Sequence, residues 1–179
     1  MNPKDIGQKI EDLIASGVPK SEVFRTLSGD DVKDRTLAYI IAARIDPRRC
    51  EANKWRIRFL VMVACVEVVF SFLVCLGIGM KISPLVGLAL AIVGALVSFL
   101  LARGIQRNKV TAYNAVMFLT IGQAPSQLNN LSHASIGTFV GLAISFAMYM
   151  YVWSLRKRLF PDFAFMSPRK VDGAYVFDD

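Results

Sequence analysis

The sequence predicts an all-α protein: a four-helix transmembrane bundle with a small N-terminal cytoplasmic helical module and a short cytoplasmic C-terminal tail. Two observations predict this class. Hydrophobic residues make up 54% of the 179 residues and concentrate in four long runs in the middle of the chain, and about 20 apolar residues in a helix span a bilayer. Lys and Arg gather beside alternate ends of these runs, as they do in membrane proteins with a fixed orientation.

The N-terminal module covers residues 1–54 and contains three predicted amphipathic helices, with apolar residues at helical spacing over residues 3–16, 21–27 and 32–45. Three short helices also fit a helix-turn-helix DNA-binding domain. However, residues 1–46 contain seven basic and eight acidic side chains, and the second helix has no basic face, whereas surfaces that bind DNA are strongly positive. We therefore expect no nucleic acid partner, and a module that packs on itself or on another protein.

The transmembrane bundle is predicted over residues 55–158. Its first span, residues 59–80, follows a basic segment that contains Trp55, and this combination is typical of the cytoplasmic surface of a membrane. Successive flanks of the apolar runs hold five, one, three, none and five Lys or Arg. That alternation predicts four crossings with both termini in the cytoplasm. The other spans are predicted at residues 85–102, 110–124 and 135–155.

The third span is the shortest. Residues 110–124 give about 22 Å of helix, against a hydrocarbon core of about 30 Å. Three alternatives are open: the helix continues past Pro125 toward Leu131 as a kinked helix, it is tilted, or it enters and leaves on the same side. The charge alternation favours a full crossing, because a re-entrant segment would put the basic residues 156–158 outside.

Glu67 is the only charged residue within the first span. A bare carboxylate at the centre of a transmembrane helix costs about 2.5 kcal/mol or more, so the group should be protonated, paired or directed toward a polar cavity. Counting depth along the helices brings Tyr149, Thr120 and Ser145 to within about one helical turn of its level. We expect their hydroxyl groups to hold the carboxyl group, Tyr149 first. Glu67 is then either a proton or cation site, or a structural hydrogen-bonding residue.

Small residues recur every four positions in two spans, which lets helix backbones approach closely. These rows are Gly87, Ala91 and Ala95 in the second span, and Gly137, Gly141 and Ser145 in the fourth. We interpret them as packing within one four-helix bundle. A homodimer through the fourth span is the alternative.

The tail, predicted over residues 159–179, is expected to be folded. It is rich in aromatic residues, and Asp172-Gly173 predicts a turn before a short strand-like run at residues 174–177. The sequence leaves three alternatives for the surface on which the tail docks: the cytoplasmic module, the membrane interface or a partner.

No residue pattern points to catalysis, a metal or a cofactor. The single histidine, His133, has no acidic residue nearby, and no Cys or His pair has the spacing of a metal site. Cys65 and Cys75 are about 15 Å apart along one helix, too far for a disulfide bond. We therefore expect a non-enzymatic protein without a metal or cofactor.

A four-helix protein with a glutamate in its first helix resembles the small multidrug-resistance transporters. The segment ACVEVVFSF, residues 64–72, is similar to their first helix. This resemblance covers one span and implies a proton-coupled transporter that uses Glu67. Those proteins have almost no soluble head, and they carry aromatic motifs in later spans that this sequence lacks. Transport is therefore the alternative function.

The two ends of the chain carry a second resemblance. The segments IEDLIASGVPKSEVFRTLSGDDVKDRTLAYIIAARIDPRRC and LRKRLFPDFAFMSPRKVDGAYVFDD resemble the ends of a group of small polytopic bacterial inner-membrane proteins. Some proteins of this class are immunity proteins for type VI secretion toxins that permeabilise membranes. The resemblance implies a protein that needs no active site and whose partners are the lipid bilayer and a cognate pore-forming toxin.

Overall fold

A computed structural model describes the backbone of residues 3–29, 32–129 and 136–178, and the side chains of residues 6–29, 32–122 and 136–178. The described chain is mostly helical. Its helices are α1 Pro3–Ala15, α2 Lys20–Leu27, α3 Asp34–Ala42, α4 Pro47–Ala52, α5 Lys54–Met80, α6 Pro84–Gln106, α7 Val110–Asn129 and α8 Ile136–Leu159, and its strands are β1 Lys170–Val171 and β2 Ala174–Tyr175. The chain divides into two compact units: unit 1 is Met1–Glu51 with Arg156–Asp179, and unit 2 is Ala52–Leu155.

Unit 1 contains the short amphipathic helices α1 to α3, each of which buries one apolar face. The buried side chains are Ile6, Ile10, Val23, Leu27, Leu37 and Ile41. The turn that follows α1 contains Gly17, whose φ of 87° is a left-handed conformation that glycine adopts without strain. The Val18 N–H donates to the Leu13 carbonyl at 3.1 Å and closes this turn. Local turn chemistry and burial of one face therefore determine this part of the fold.

The tail packs on the N-terminal module within unit 1. Strands β1 and β2 form an antiparallel hairpin through the turn at Asp172 and Gly173. The rings of Tyr175 and Phe177 lie 5.5 and 5.6 Å from the ring of Phe24. Of the three docking surfaces that the sequence left open, the structure thus uses the N-terminal module.

Asp162 connects the tail to the helices of the module. Its carboxylate accepts a hydrogen bond from Lys20 Nζ at 2.6 Å and another from the Asp178 N–H at 2.7 Å. Lys20 Nζ also donates to the Arg44 carbonyl at 2.9 Å. Because the Asp162 side chain is fully buried, these partners are what make its charge tolerable there.

Among the residues that the structure describes, unit 2 contains three helices that are long and apolar enough to cross a membrane, namely α5, α6 and α8. Most of their large apolar side chains are exposed on the unit, for example Phe70, Leu85 and Phe146. An exposed apolar exterior of this extent is typical of helices solvated by lipid. The structure therefore agrees with the membrane class that the apolar runs predicted.

Helices α5 and α6 form a tightly packed antiparallel hairpin because small residues line its interface. A Cβ atom on Gly79 would lie 2.5 Å from the Gly87 Cα, and one on Gly94 would lie 2.7 Å from the Cys75 Sγ. The hydroxyl groups of Ser71 and Ser98 lie 2.8 Å apart and form a hydrogen bond across the same interface. Close backbone approach of this kind is how transmembrane helices gain packing energy.

Helix α7 continues past Pro125 and ends at Asn129. The continuation past Pro125 agrees with that part of the first alternative, and it lengthens the helix to about 30 Å. Its stretch Val110–Gly122 is apolar. The link to α8, at residues 130–135, lies outside the described residues, as does His133.

Candidate functional site

Glu67 lies at the midpoint of α5, about 20 Å of helix from either end. Its side chain is exposed on the surface of unit 2. The neighbouring Val66 and Phe70 are also exposed, at 54% and 63%. The carboxyl group therefore emerges from an apolar surface.

The pairing of α5 with α6 gives the level of Glu67 along the hairpin. Ser71 lies against Ser98, and Cys75 lies against Gly94. When the same antiparallel register is continued by one helical turn, Glu67 lies level with Ala102. Because α6 ends at Gln106, Glu67 is about 6 Å from the basic end of that helix along its axis.

The structure does not bring the three predicted hydroxyl groups to Glu67. The Thr120 hydroxyl donates to the Val116 carbonyl on its own helix at 2.9 Å. The Tyr149 ring stacks on Trp153 with 6.3 Å between the ring centres, and Ser145 is half-buried on α8. Within the described part of the chain, Glu67 has no hydrogen bond or ion pair.

The small residues singled out in the sequence differ in their surroundings. Gly87 and Ala91 are buried on α6, and Ala95 is half-buried. On α8, Gly137 is exposed, and a Cβ atom on the half-buried Gly141 would meet nothing within 4 Å in the described chain. The row on α6 thus lies in a helix interface, whereas the row on α8 has an open surface at Gly141.

No protein-family model, curated protein or solved structure matches this chain. Among the residues that the structure describes, no group of three or more His, Cys, Asp or Glu residues is placed to hold a metal ion.

An outward-facing carboxyl group can form a hydrogen bond or an ion pair with a second polypeptide. A charged or polar group at a membrane-exposed position has few partners in lipid, so a polar group on another chain would be favoured there. The arrangement suits recognition at the helix surface. Within the described residues, Thr120, Tyr149 and Ser145 make no hydrogen bond to Glu67.

Two residues central to unit 1 were not singled out from the sequence. Asp162 is the buried partner of Lys20. The one sequence feature that distinguishes it is that it is the first acidic residue after Glu67. Arg156 was counted as a cytoplasmic flank, yet it is fully buried. Its guanidinium group donates to the Phe165 carbonyl and lies 5.8 Å from the centre of the Phe163 ring.

Proposed function

We propose that this chain is a polytopic bacterial inner-membrane immunity protein, which binds a membrane-targeting secreted toxin within the bilayer and neutralises it. The observation that carries the proposal is the outward-facing carboxyl group of Glu67 on the apolar surface of α5. Such a group is costly in lipid unless another polar group covers it. A pore-forming toxin inserted in the same membrane supplies a partner at this depth.

We also propose four crossings with both termini in the cytoplasm. The N-terminal module and the tail belong to one compact unit, so they share one side of the membrane and the chain crosses an even number of times. Three helices within the described part of the chain are long and apolar enough to cross, and the 20 residues of α7 supply the fourth crossing. The basic residues beside Trp55 and at residues 156–158 support the cytoplasmic side.

The toxin partner is tested by measuring the membrane potential of cells. These cells produce, in the periplasm, the product of the gene that lies next to the gene for this protein. Cells without the protein should depolarise only when that product is present, and the intact protein should prevent the loss. Glu67→Leu should weaken the interaction by roughly three- to twenty-fold, as expected for one intramembrane polar contact. Val69→Leu, at an exposed position on the same helix, is the matched control and should protect fully.

A photo-reactive amino acid at Phe70, one turn from Glu67, should cross-link to the toxin. The same amino acid at Leu85, exposed on α6, should give no such product if the interface is centred on Glu67. Full protection by Glu67→Leu together with no cross-link at Phe70 would contradict the proposal. Proton-coupled flux in vesicles that Glu67→Gln abolishes, with no toxin present, would instead establish the transporter.

A further inference from the structure

A groove between α6 and α7 combines an apolar wall with a basic rim. Its volume is about 530 Å³, within the size range of small-molecule sites. Leu100 and Leu101 line it from α6, and Ala115 lines it from α7. The rim consists of Arg103, Arg107 and Lys109, at the end of α6 and in the turn that follows it.

The turn that carries the rim is well fixed. The Lys109 N–H donates to the Gly104 carbonyl at 2.9 Å. The hydroxyl group of the buried Tyr113 donates to the Asn108 side chain at 3.3 Å. A Cβ atom on Gly104 would lie 2.6 Å from the Ala112 Cβ, so glycine is what lets the two helices meet at the floor of the groove. The groove is therefore preformed.

Neither α6 nor α7, the two helices that form the groove, contains an acidic residue that could neutralise the three rim cations. Their side chains make no hydrogen bond or ion pair within the described residues, and no Asp or Glu lies between Glu67 and Asp162 in the sequence. Cations elsewhere do have acidic partners: Arg44 pairs with Glu11 at 2.8 Å. The groove thus complements an anion supplied from outside the chain.

We propose that this groove is a binding site for an anionic phospholipid. The rim of Arg103, Arg107 and Lys109 holds the phosphate, and one acyl chain lies along the leucine and alanine wall. The wall reaches from Arg103 at the rim to Val97, about 9 Å along α6, which matches part of an acyl chain. Basic pockets between transmembrane helices on the cytoplasmic side are where lipid headgroups bind. An apolar wall of this length has no role in binding a free phosphate ion.

The test measures lipid binding to the purified full-length protein in detergent, by native mass spectrometry. Phosphatidylglycerol should bind, whereas phosphatidylcholine with the same acyl chains should bind far more weakly. Replacing Arg103, Arg107 and Lys109 together by Gln should weaken phosphatidylglycerol binding by roughly a hundred-fold, since each basic residue near the surface contributes about five-fold. The matched control replaces the exposed Lys9, Arg25 and Lys33 by Gln and should leave binding unchanged.

A second variant keeps the positive charges of the rim and fills the space inside the groove. Ala115→Phe fills the apolar wall and should also weaken phosphatidylglycerol binding, so the site remains testable if the triple variant folds poorly. Glycerol 3-phosphate, which offers the phosphate without acyl chains, should not displace the lipid. The inference is overturned if both lipids bind equally, if the charge and groove variants bind as the parent does, or if glycerol 3-phosphate displaces the lipid at equal concentration.

Discussion

Asp162 carries the buried charge that connects the tail to the N-terminal module. Its carboxylate accepts hydrogen bonds from Lys20 and from the Asp178 N–H, and its own backbone carbonyl accepts from the Arg169 N–H at 2.7 Å. Removing one partner of a buried pair costs more than the pair contributes, because the other charge is left without compensation. Loss of the Asp162 carboxylate would leave the charge of Lys20, whose side chain is only 14% exposed, without its ion-pair partner.

We therefore predict that Asp162→Ala destabilises unit 1 by about 3 kcal/mol. Hydrogen exchange in detergent should detect this as faster exchange of the α2 and tail amides. Glu22→Ala is the matched control, because Glu22 and Arg25 form an exposed pair at 3.9 Å that is worth well under 1 kcal/mol. Equal exchange in the two variants would refute the role given to Asp162.

Cys50 should be a poorly reactive thiol. Burial raises its pKa, and the negative charge of Asp46 raises it further. Because the thiolate is the nucleophile, alkylation at neutral pH should be slower than for a free cysteine, and the pH midpoint of the reaction should lie higher. This is measured with iodoacetamide on a variant in which Cys65 and Cys75 are alanine.

Asp46→Asn supplies the matched control for Cys50. It removes the charge but keeps an acceptor for the Arg48 N–H, which bonds Asp46 Oδ1 at 2.8 Å. The pH midpoint should move only part of the way down, since burial remains. A midpoint at or below the value of an unstructured cysteine in the parent protein would show that burial does not control this thiol.

At the scale of helices, the α5–α6 hairpin depends on glycines whose missing side chains would meet backbone atoms. A Cβ atom on Gly87 would lie 2.9 Å from the Met80 nitrogen, and rotation of a side chain cannot relieve that contact. We predict that Gly87→Ala destabilises the hairpin by about 1–3 kcal/mol, the usual cost of overpacking. The free energy of unfolding is measured by SDS titration in mixed micelles.

Gly77 on α5 provides the control for Gly87. A Cβ atom there meets nothing within 4 Å in the described chain, and alanine is the better helix former. Gly77→Ala should therefore be neutral or slightly stabilising. If both substitutions cost the same, helix propensity rather than close packing would explain the glycine at position 87.

The sequence predicted the elements of this molecule better than their contacts. Runs of apolar residues located α5, α6 and α8, because hydrophobicity over 20 residues is a local property. The end of α7 was left open, since Pro125 disfavours helix but does not forbid it within a membrane. Contact between Phe24 and Phe177 joins opposite ends of the chain, and no local pattern encodes such a pair.

The sequence-based prediction of the candidate site rested on depth along the helices alone. Counting residues gives the level of a side chain along a helix, and on that basis Tyr149, Thr120 and Ser145 were assigned to Glu67. Whether two side chains at one level face each other depends on how each helix is turned about its axis. In this structure Glu67 faces outward, so the three hydroxyl groups do not reach it.

At the scale of the whole molecule, the proposed topology places the N-terminal module and the tail on the same side of the membrane. The most direct test labels single cysteines in intact cells with a membrane-impermeant maleimide, in a chain without its native cysteines. Ile82→Cys and Gln127→Cys should react in intact cells, whereas Ser28→Cys, Gln106→Cys and Ser167→Cys should react only after permeabilisation. Labelling of Ser167→Cys but not of Ser28→Cys in intact cells would separate the tail from the module and contradict the account.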